Sequence, residues 1–193
     1  MRKNIFGDTG IKKRLSTTIT LLRHAPLPRA YHGRYNGWSD IPIDPLLFDH
    51  QKVKALKEEH FDLIYSSDLI RCTQTIKLLF DGRLKPYPTG ALREVKFREE
   101  IEGKSFEEIE QLASFNPAYL HDETSWHGYI CEESQDAFYQ RLRDFLGSLP
   151  EDKNILICSH GGAIKAMLYL LGEPAVSLGY LESVSIRTPR NII

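Results

Sequence analysis

Apolar residues in this chain follow two spacings. Short β-branched runs read as buried strands: Thr17 to Leu22, Phe61-Asp62-Leu63-Ile64-Tyr65, Asn154 to Cys158 and Val184-Ser185-Ile186. Between them, apolar positions recur at helical spacing, as in Leu69, Cys72, Ile76 and Leu79, or in Phe138, Leu142, Phe145 and Leu146. This pattern predicts helices over 68–80, from Ser134 to about Leu146, and from Gly162 to Leu171. Ser66-Ser67-Asp68 should supply the caps of the first. Asp44-Pro45 marks another helix start, because Asp caps free amides and Pro at the first turn loses no needed hydrogen bond. That helix should reach about Glu59. Ser105-Phe106-Glu107-Glu108 fits a capping box before a helix ending near Phe115. Leu84-Lys85-Pro86-Tyr87-Pro88 is at best an edge strand, since proline cannot complete a central ladder. Pro26, Pro28 and Gly33 dictate a loop to about Ile43, and residues 116–133 read as a long irregular segment of the kind that more often serves a function. Strands alternating with helices predict an α/β fold with a mostly parallel sheet. One domain over 17–193 is expected, after an N-terminal extension of residues 1–16 that carries the basic run Lys12-Lys13-Arg14.

Composition narrows the chemistry. Of 193 residues, 41% are apolar and 26% charged, as in soluble globular proteins. Lys plus Arg number 25 against 26 Asp plus Glu, so the net charge of −1 points to neither nucleic acid nor membrane as a partner. Any phosphate site must be a local concentration of positive charge. No apolar run reaches bilayer length, and the first residues lack a signal-peptide core. The cysteines, Cys72, Cys131 and Cys158, are an odd number without metal-ligand spacing, which fits a reducing cytoplasm. The sequence does not fix an oligomeric state.

Ligands of open α/β sheets sit beyond the carboxyl ends of the strands. Arg23-His24 ends one predicted strand, Ser159-His160-Gly161-Gly162 ends another, and Ser66-Ser67-Asp68 delivers Arg71 into the first turn of its helix. The three segments should therefore converge. A neutral imidazole at His24 could attack phosphorus, with Arg23 and Arg71 forking the phosphoryl oxygens and His160 donating to them as charge develops. A leaving alkoxide needs a proton, and Glu94, Glu99, Glu100 and Glu102 are all available to give it. Glu94 follows most closely the exit of the extended piece, and the other three read as a solvated rim. Taken singly, Arg71 would pair with Asp68 and His160 would cap a helix. Tyr35 and Trp38 read first as surface packing, with a place at the site mouth as the alternative. His121, Trp126, His127 and Tyr129 read equally as a lid or as loop packing.

Several segments together resemble the histidine phosphatase superfamily, the branch that holds cofactor-dependent phosphoglycerate mutases and many phosphatases. Leu21-Leu22-Arg23-His24 is similar to its signature, with Ala25 where Gly is usual. Asn36-Gly37-Trp38-Ser39-Asp40-Ile41-Pro42-Ile43 resembles the segment after the first loop. Ser66-Ser67-Asp68-Leu69-Ile70-Arg71-Cys72-Thr73-Gln74-Thr75 matches closely, with Cys72 in place of Ala. Leu92-Arg93-Glu94 with Glu102-Gly103, Glu133-Ser134 and Ser159-His160-Gly161-Gly162 follow in order. The resemblance runs from about Thr17 to Ile186. It implies a phosphoglycerate mutase-like three-layer α/β/α sandwich. It also implies a phosphorylated His24, Glu94 as acid, a phosphate pocket of Arg23, Arg71 and His160, and no metal or other cofactor. The expected activity is that of a phosphomonoester phosphatase on a small phosphorylated metabolite, with α-ribazole phosphate among the candidates. A cofactor-dependent phosphoglycerate mutase and a non-catalytic phosphate-binding module are the alternatives. Ala25-Pro26-Leu27-Pro28 lacks the polar residues that mutases carry there. The Glu94 segment holds one residue more than usual before Gly103, and Arg98 replaces a glycine.

Overall fold

A computed structural model describes residues 16–188. The expected N-terminal extension lies, but for its last residue, outside them. Five strands build one sheet: β1 (Thr17–Arg23), β2 (Leu63–Ser67), β3 (Tyr87–Thr89), β4 (Asn154–Ser159) and β5 (Ser183–Thr188), in the order β3-β2-β4-β1-β5. All neighbours pair in parallel except β5, which runs antiparallel to β1. The proline-bearing piece is an edge strand, as expected.

Period-two alternation gives each central strand two apolar faces. On one side Ile19, Leu21, Ile155 and Ile157 pack against α5 (Gln135–Gly147) and α6 (Gly161–Leu170) through Leu142, Leu146, Ile164 and Met167. On the other, Leu22, Leu156 and Cys158 meet α1 (Lys54–Glu58) and α2 (Ile70–Leu79) through Leu56, Cys72, Ile76 and Leu79. The result is the three-layer sandwich. Each such fully buried aliphatic side chain contributes about 1.5–3 kcal/mol.

Four local expectations change. Asp44 does cap, accepting from the Leu46 amide at 3.0 Å, but only one 3-10 turn follows, Pro45–Leu47. Asp49 then takes the amides of Gln51 and Lys52 with its own carboxylate, a local turn that competes with the helix. Phe48, Val53 and Leu56 reach the core from this broken path. The capping box forms at Ser105, yet α3 spans only Phe106–Ile109 and gives way to tight turns, Leu112 bonding back to Ile109 and Phe115 to Leu112. The 116–133 segment is mostly helical: a 3-10 turn at Pro117–His121, then α4 (Glu123–Ile130), which Asp122 caps through the Ser125 amide. Trp126, Tyr129 and Ile130 give it a helical apolar face despite Gly128. Finally, α2 takes its cap from elsewhere: Asp40 accepts from the Ile70 amide at 2.6 Å. Asp68 instead holds Arg93 with two bonds of 2.7 Å.

Strand register brings the predicted segments together. Arg23 lies opposite Ser159, and Ser66 opposite Cys158. Just past that line, the His24 amide donates to the Ser159 carbonyl at 3.0 Å.

Candidate active site

A cleft of roughly 200 Å³ opens at these strand ends, with Arg23, His24, Glu94, His160, Gly161 and Gly162 on its lining and Leu27, Tyr35, Phe97 and Tyr180 among its walls. His24 is 5% exposed. Its Nδ1 lies 2.8 Å from the Ala25 carbonyl, which can only accept, so Nδ1 carries the ring proton and Nε2 keeps the lone pair. The turn that orients it is tied to α2, because the Ala25 amide donates to Thr75 Oγ1 and that hydroxyl donates to the Arg71 carbonyl. Burial and the Arg71 charge push the His24 pKa down to about 3, against a raising effect of the Ala25 carbonyl and a further lowering by Arg23. The ring is therefore neutral and nucleophilic at neutral pH.

Arg23 gives Nη1 to the Leu178 carbonyl at 2.6 Å and lies 4.4 Å over the Tyr180 ring. Its Nε is buried without a protein acceptor. A donor left open in this way on a charged group suits an anionic oxygen. Packing is close, since a Cβ on Gly161 would stand 3.4 Å from the Arg23 guanidinium carbon.

The His160 ring lies 5.2 Å from that of His24, edge to face. It occupies the cap position of α6 but bonds none of that helix's amides. Arg71 Nε donates to its Nδ1 at 3.0 Å, so the proton sits on Nε2, 3.6 Å from Cys72 Sγ. Burial first, and Arg71 second, hold its pKa well below the ordinary value.

Arg71 takes a form other than a fork facing the cleft. It is 1% exposed and lies behind His160, off the lining. Its Nη groups donate to the carbonyls of Ser39 (2.7 Å), Gly37 (2.6 Å) and Asn36 (3.4 Å), and it does not pair with Asp68. The loop 36–39 and His160 are thereby locked to one guanidinium.

Glu94 also lines the cleft. Its Oε2 accepts from the Gly162 amide at 2.8 Å and its Oε1 from its neighbour Val95 at 3.0 Å. Gly162 has to be glycine for this contact, because a Cβ there would lie 2.5 Å from Oε1.

Glu102 does not belong to a solvated rim. Its carboxylate accepts from the amides of Gly37 (2.9 Å), Ser39 (3.1 Å) and Trp38 (3.4 Å), the loop whose carbonyls Arg71 binds. Gly37 admits no side chain, since a Cβ would stand 2.8 Å from the Val95 carbonyl. Nothing near Glu102 in the sequence marks it for this role, because the loop whose amides it takes begins 65 residues earlier and only the fold turns those amides toward it. Trp38 is also more than surface packing: its Nε1 donates to the Glu94 carbonyl at 2.9 Å, and Arg93 lies 4.5 Å over its ring. Tyr35 lines the cleft and is braced by Phe97 and Trp126. The other aromatic and histidine candidates pack away from the lining: Tyr119 stacks on Tyr129, and His127 Nε2 meets the Glu133 carbonyl at 2.9 Å. Among the described residues no group of three or more His, Cys, Asp or Glu side chains could hold a metal ion. No described helix is long and apolar enough to cross a membrane.

Residues 19–184 match the histidine phosphatase superfamily, branch 1. A broad-specificity phosphatase of Saccharomyces cerevisiae is 34% identical over 79% of this chain and 69% of its own. An adenosylcobalamin/alpha-ribazole phosphatase of Salmonella typhi is 26% identical over 85% of this chain and 84% of its own. Among solved structures, a Thermus thermophilus protein superimposes with a TM-score of 0.68 at 27% identity, over 88% of this chain and 92% of that one. The fold is the phosphoglycerate mutase-like one.

Proposed function

Since the chain belongs to the histidine phosphatase superfamily, branch 1, we propose that it hydrolyses a small phosphomonoester through phospho-His24. The observation that carries this reading is the pairing of His24 with Arg23: a neutral imidazole whose free nitrogen is Nε2, next to a buried guanidinium N–H with no acceptor.

The phosphoryl oxygens settle against Arg23, where positioning and charge do most of the catalytic work in phosphoryl transfer. His24 Nε2 attacks phosphorus in line and the P–O ester bond breaks. Glu94, protonated, gives its proton to the departing alkoxide. The carboxylate left behind then takes a proton from water, whose oxygen attacks phosphorus. The P–N bond breaks, inorganic phosphate leaves, and His24 and protonated Glu94 are restored. None of these steps needs a metal. Both ring nitrogens of His160 are engaged within the protein, Nδ1 by Arg71 and Nε2 at Cys72 Sγ, so its ring borders the phosphoryl site without the free donor that the sequence leads one to expect.

The relative from Salmonella typhi supports α-ribazole phosphate as a candidate substrate. A cleft of roughly 200 Å³ suits the phosphorylated end of a metabolite. Hydrolysis across a panel of small phosphomonoesters with a chelator present, α-ribazole phosphate included, tests the reading. Release of inorganic phosphate from at least one ester is expected. Phosphate binding without turnover on any ester would replace it with a binding module. Bisphosphoglycerate-dependent isomerisation of phosphoglycerate, faster than hydrolysis, would replace it with a mutase.

A further inference from the structure

Arg141 lies on α5, off the cleft lining, yet every one of its five N–H donors is used near Glu94. Nε and Nη2 fork the Glu133 carboxylate at 2.6 and 2.9 Å. Nη1 donates to the carbonyls of Ala91 (2.8 Å) and Arg93 (2.9 Å), and Nη2 to that of Glu94 itself (2.9 Å). Both partners are mostly buried, with side chains 19% and 14% exposed. Glu133 grips the other flank of the segment too, accepting from the Lys96 amide at 3.3 Å, while the Glu132 amide donates to the Lys96 carbonyl at 2.8 Å.

From this geometry we infer that Arg141, held by Glu133, is a positioning residue for the Glu94 carboxylate. Three carbonyls of one short segment on one planar fork fix the backbone from which the Glu94 side chain projects to Gly162. Lysine has three donors on a single nitrogen and cannot span that arrangement. An alkyl ester needs the acid to protonate its leaving oxygen, and a displaced acid costs on the order of 100-fold. An ester with a good leaving group needs no proton. The inference rests on the reading of Glu94 as the acid.

The test compares kcat/KM for an alkyl phosphate and for 2,4-dinitrophenyl phosphate, which both report only steps up to the phosphoenzyme. Arg141→Lys should lower the alkyl value by about 100-fold and the dinitrophenyl value by no more than about threefold. Glu133→Gln keeps the side-chain volume and should show the same selectivity with a smaller loss; it carries the test if Arg141→Lys does not fold. Equal losses on both esters would mean that Arg141 merely supports the fold, and would overturn the inference. Glu94→Gln is the control. If it fails to discriminate between the esters, the reading of Glu94 falls and this inference with it; if it discriminates and the Arg141 and Glu133 variants do not, this inference alone falls.

Discussion

Glu102 and Arg71 grip opposite sides of one short loop. The carboxylate takes the amides of Gly37 and Ser39, and the guanidinium takes the carbonyls of the same two residues. Arg71 also holds His160 through Nε, so a residue on the far side of the loop sets the orientation of a ring on the cleft lining.

Removing that grip should be felt at the site. Glu102→Ala leaves the loop amides without their charged acceptor, which costs about 1–3 kcal/mol. The freed loop lets Arg71 and His160 drift, and kcat/KM should fall by about 10- to 100-fold. Urea unfolding together with steady-state kinetics measures both. Unchanged kinetics at reduced stability would show that the loop does not support the site.

Arg23 offers Nε, which lysine does not have. Arg23→Lys should therefore weaken competitive inhibition by inorganic phosphate by at least about 10-fold, because charge-assisted hydrogen bonds of this kind contribute about 1.5–3 kcal/mol each. An unaltered inhibition constant would mean that the open N–H does not face the anion.

Gly162→Ala puts a methyl group against Glu94 Oε1. The neighbour is the end of a flexible side chain, so the fold should yield cheaply, with stability changed by less than about 1 kcal/mol. The displaced carboxylate should cost an alkyl phosphate at least about 10-fold in kcat/KM. Thermal unfolding and kinetics on the same preparation separate the two effects.

Acid should destabilise the fold through its buried imidazoles. His24 has a folded pKa of about 3, and that of His160 is lowered too, whereas an unfolded histidine titrates near 6.5. Between about pH 6.5 and pH 3 the unfolded chain binds more protons than the native one. Stability is therefore complete above about pH 7 and falls below it, by up to about 1.4 kcal/mol per pH unit for each imidazole. Urea unfolding at pH 7.5 and 5.5 should show a smaller drop for His24→Asn than for the natural chain. Equal drops would contradict the burial of a neutral ring.

Elements with one sustained periodicity are legible in the sequence: α2, α5, α6 and the central strands all bury the residues their spacing marks. The convergence of the candidate site is legible for the same reason, because Arg23, His24 and His160 stand at the ends of apolar runs that register aligns. Illegible features depend on partners far along the chain. Asp40 caps α2 from 30 residues away, Asp68 turns to Arg93, and Glu102 serves a loop 65 residues earlier. The break after Leu47 escapes a periodicity reading because the Asp44 cap is real while Asp49 closes its own turn. Arg141 meets its partners only in the fold, which sets the carbonyls of Ala91, Arg93 and Glu94 against it.

The covalent step can be measured directly. The enzyme is mixed with a radiolabelled phosphomonoester, quenched in alkali within the first turnover, and the labelled peptide sequenced. Acid-labile phosphate on His24, absent together with turnover in His24→Ala, is the predicted result. Full turnover in His24→Ala, or label on another residue, would contradict the account.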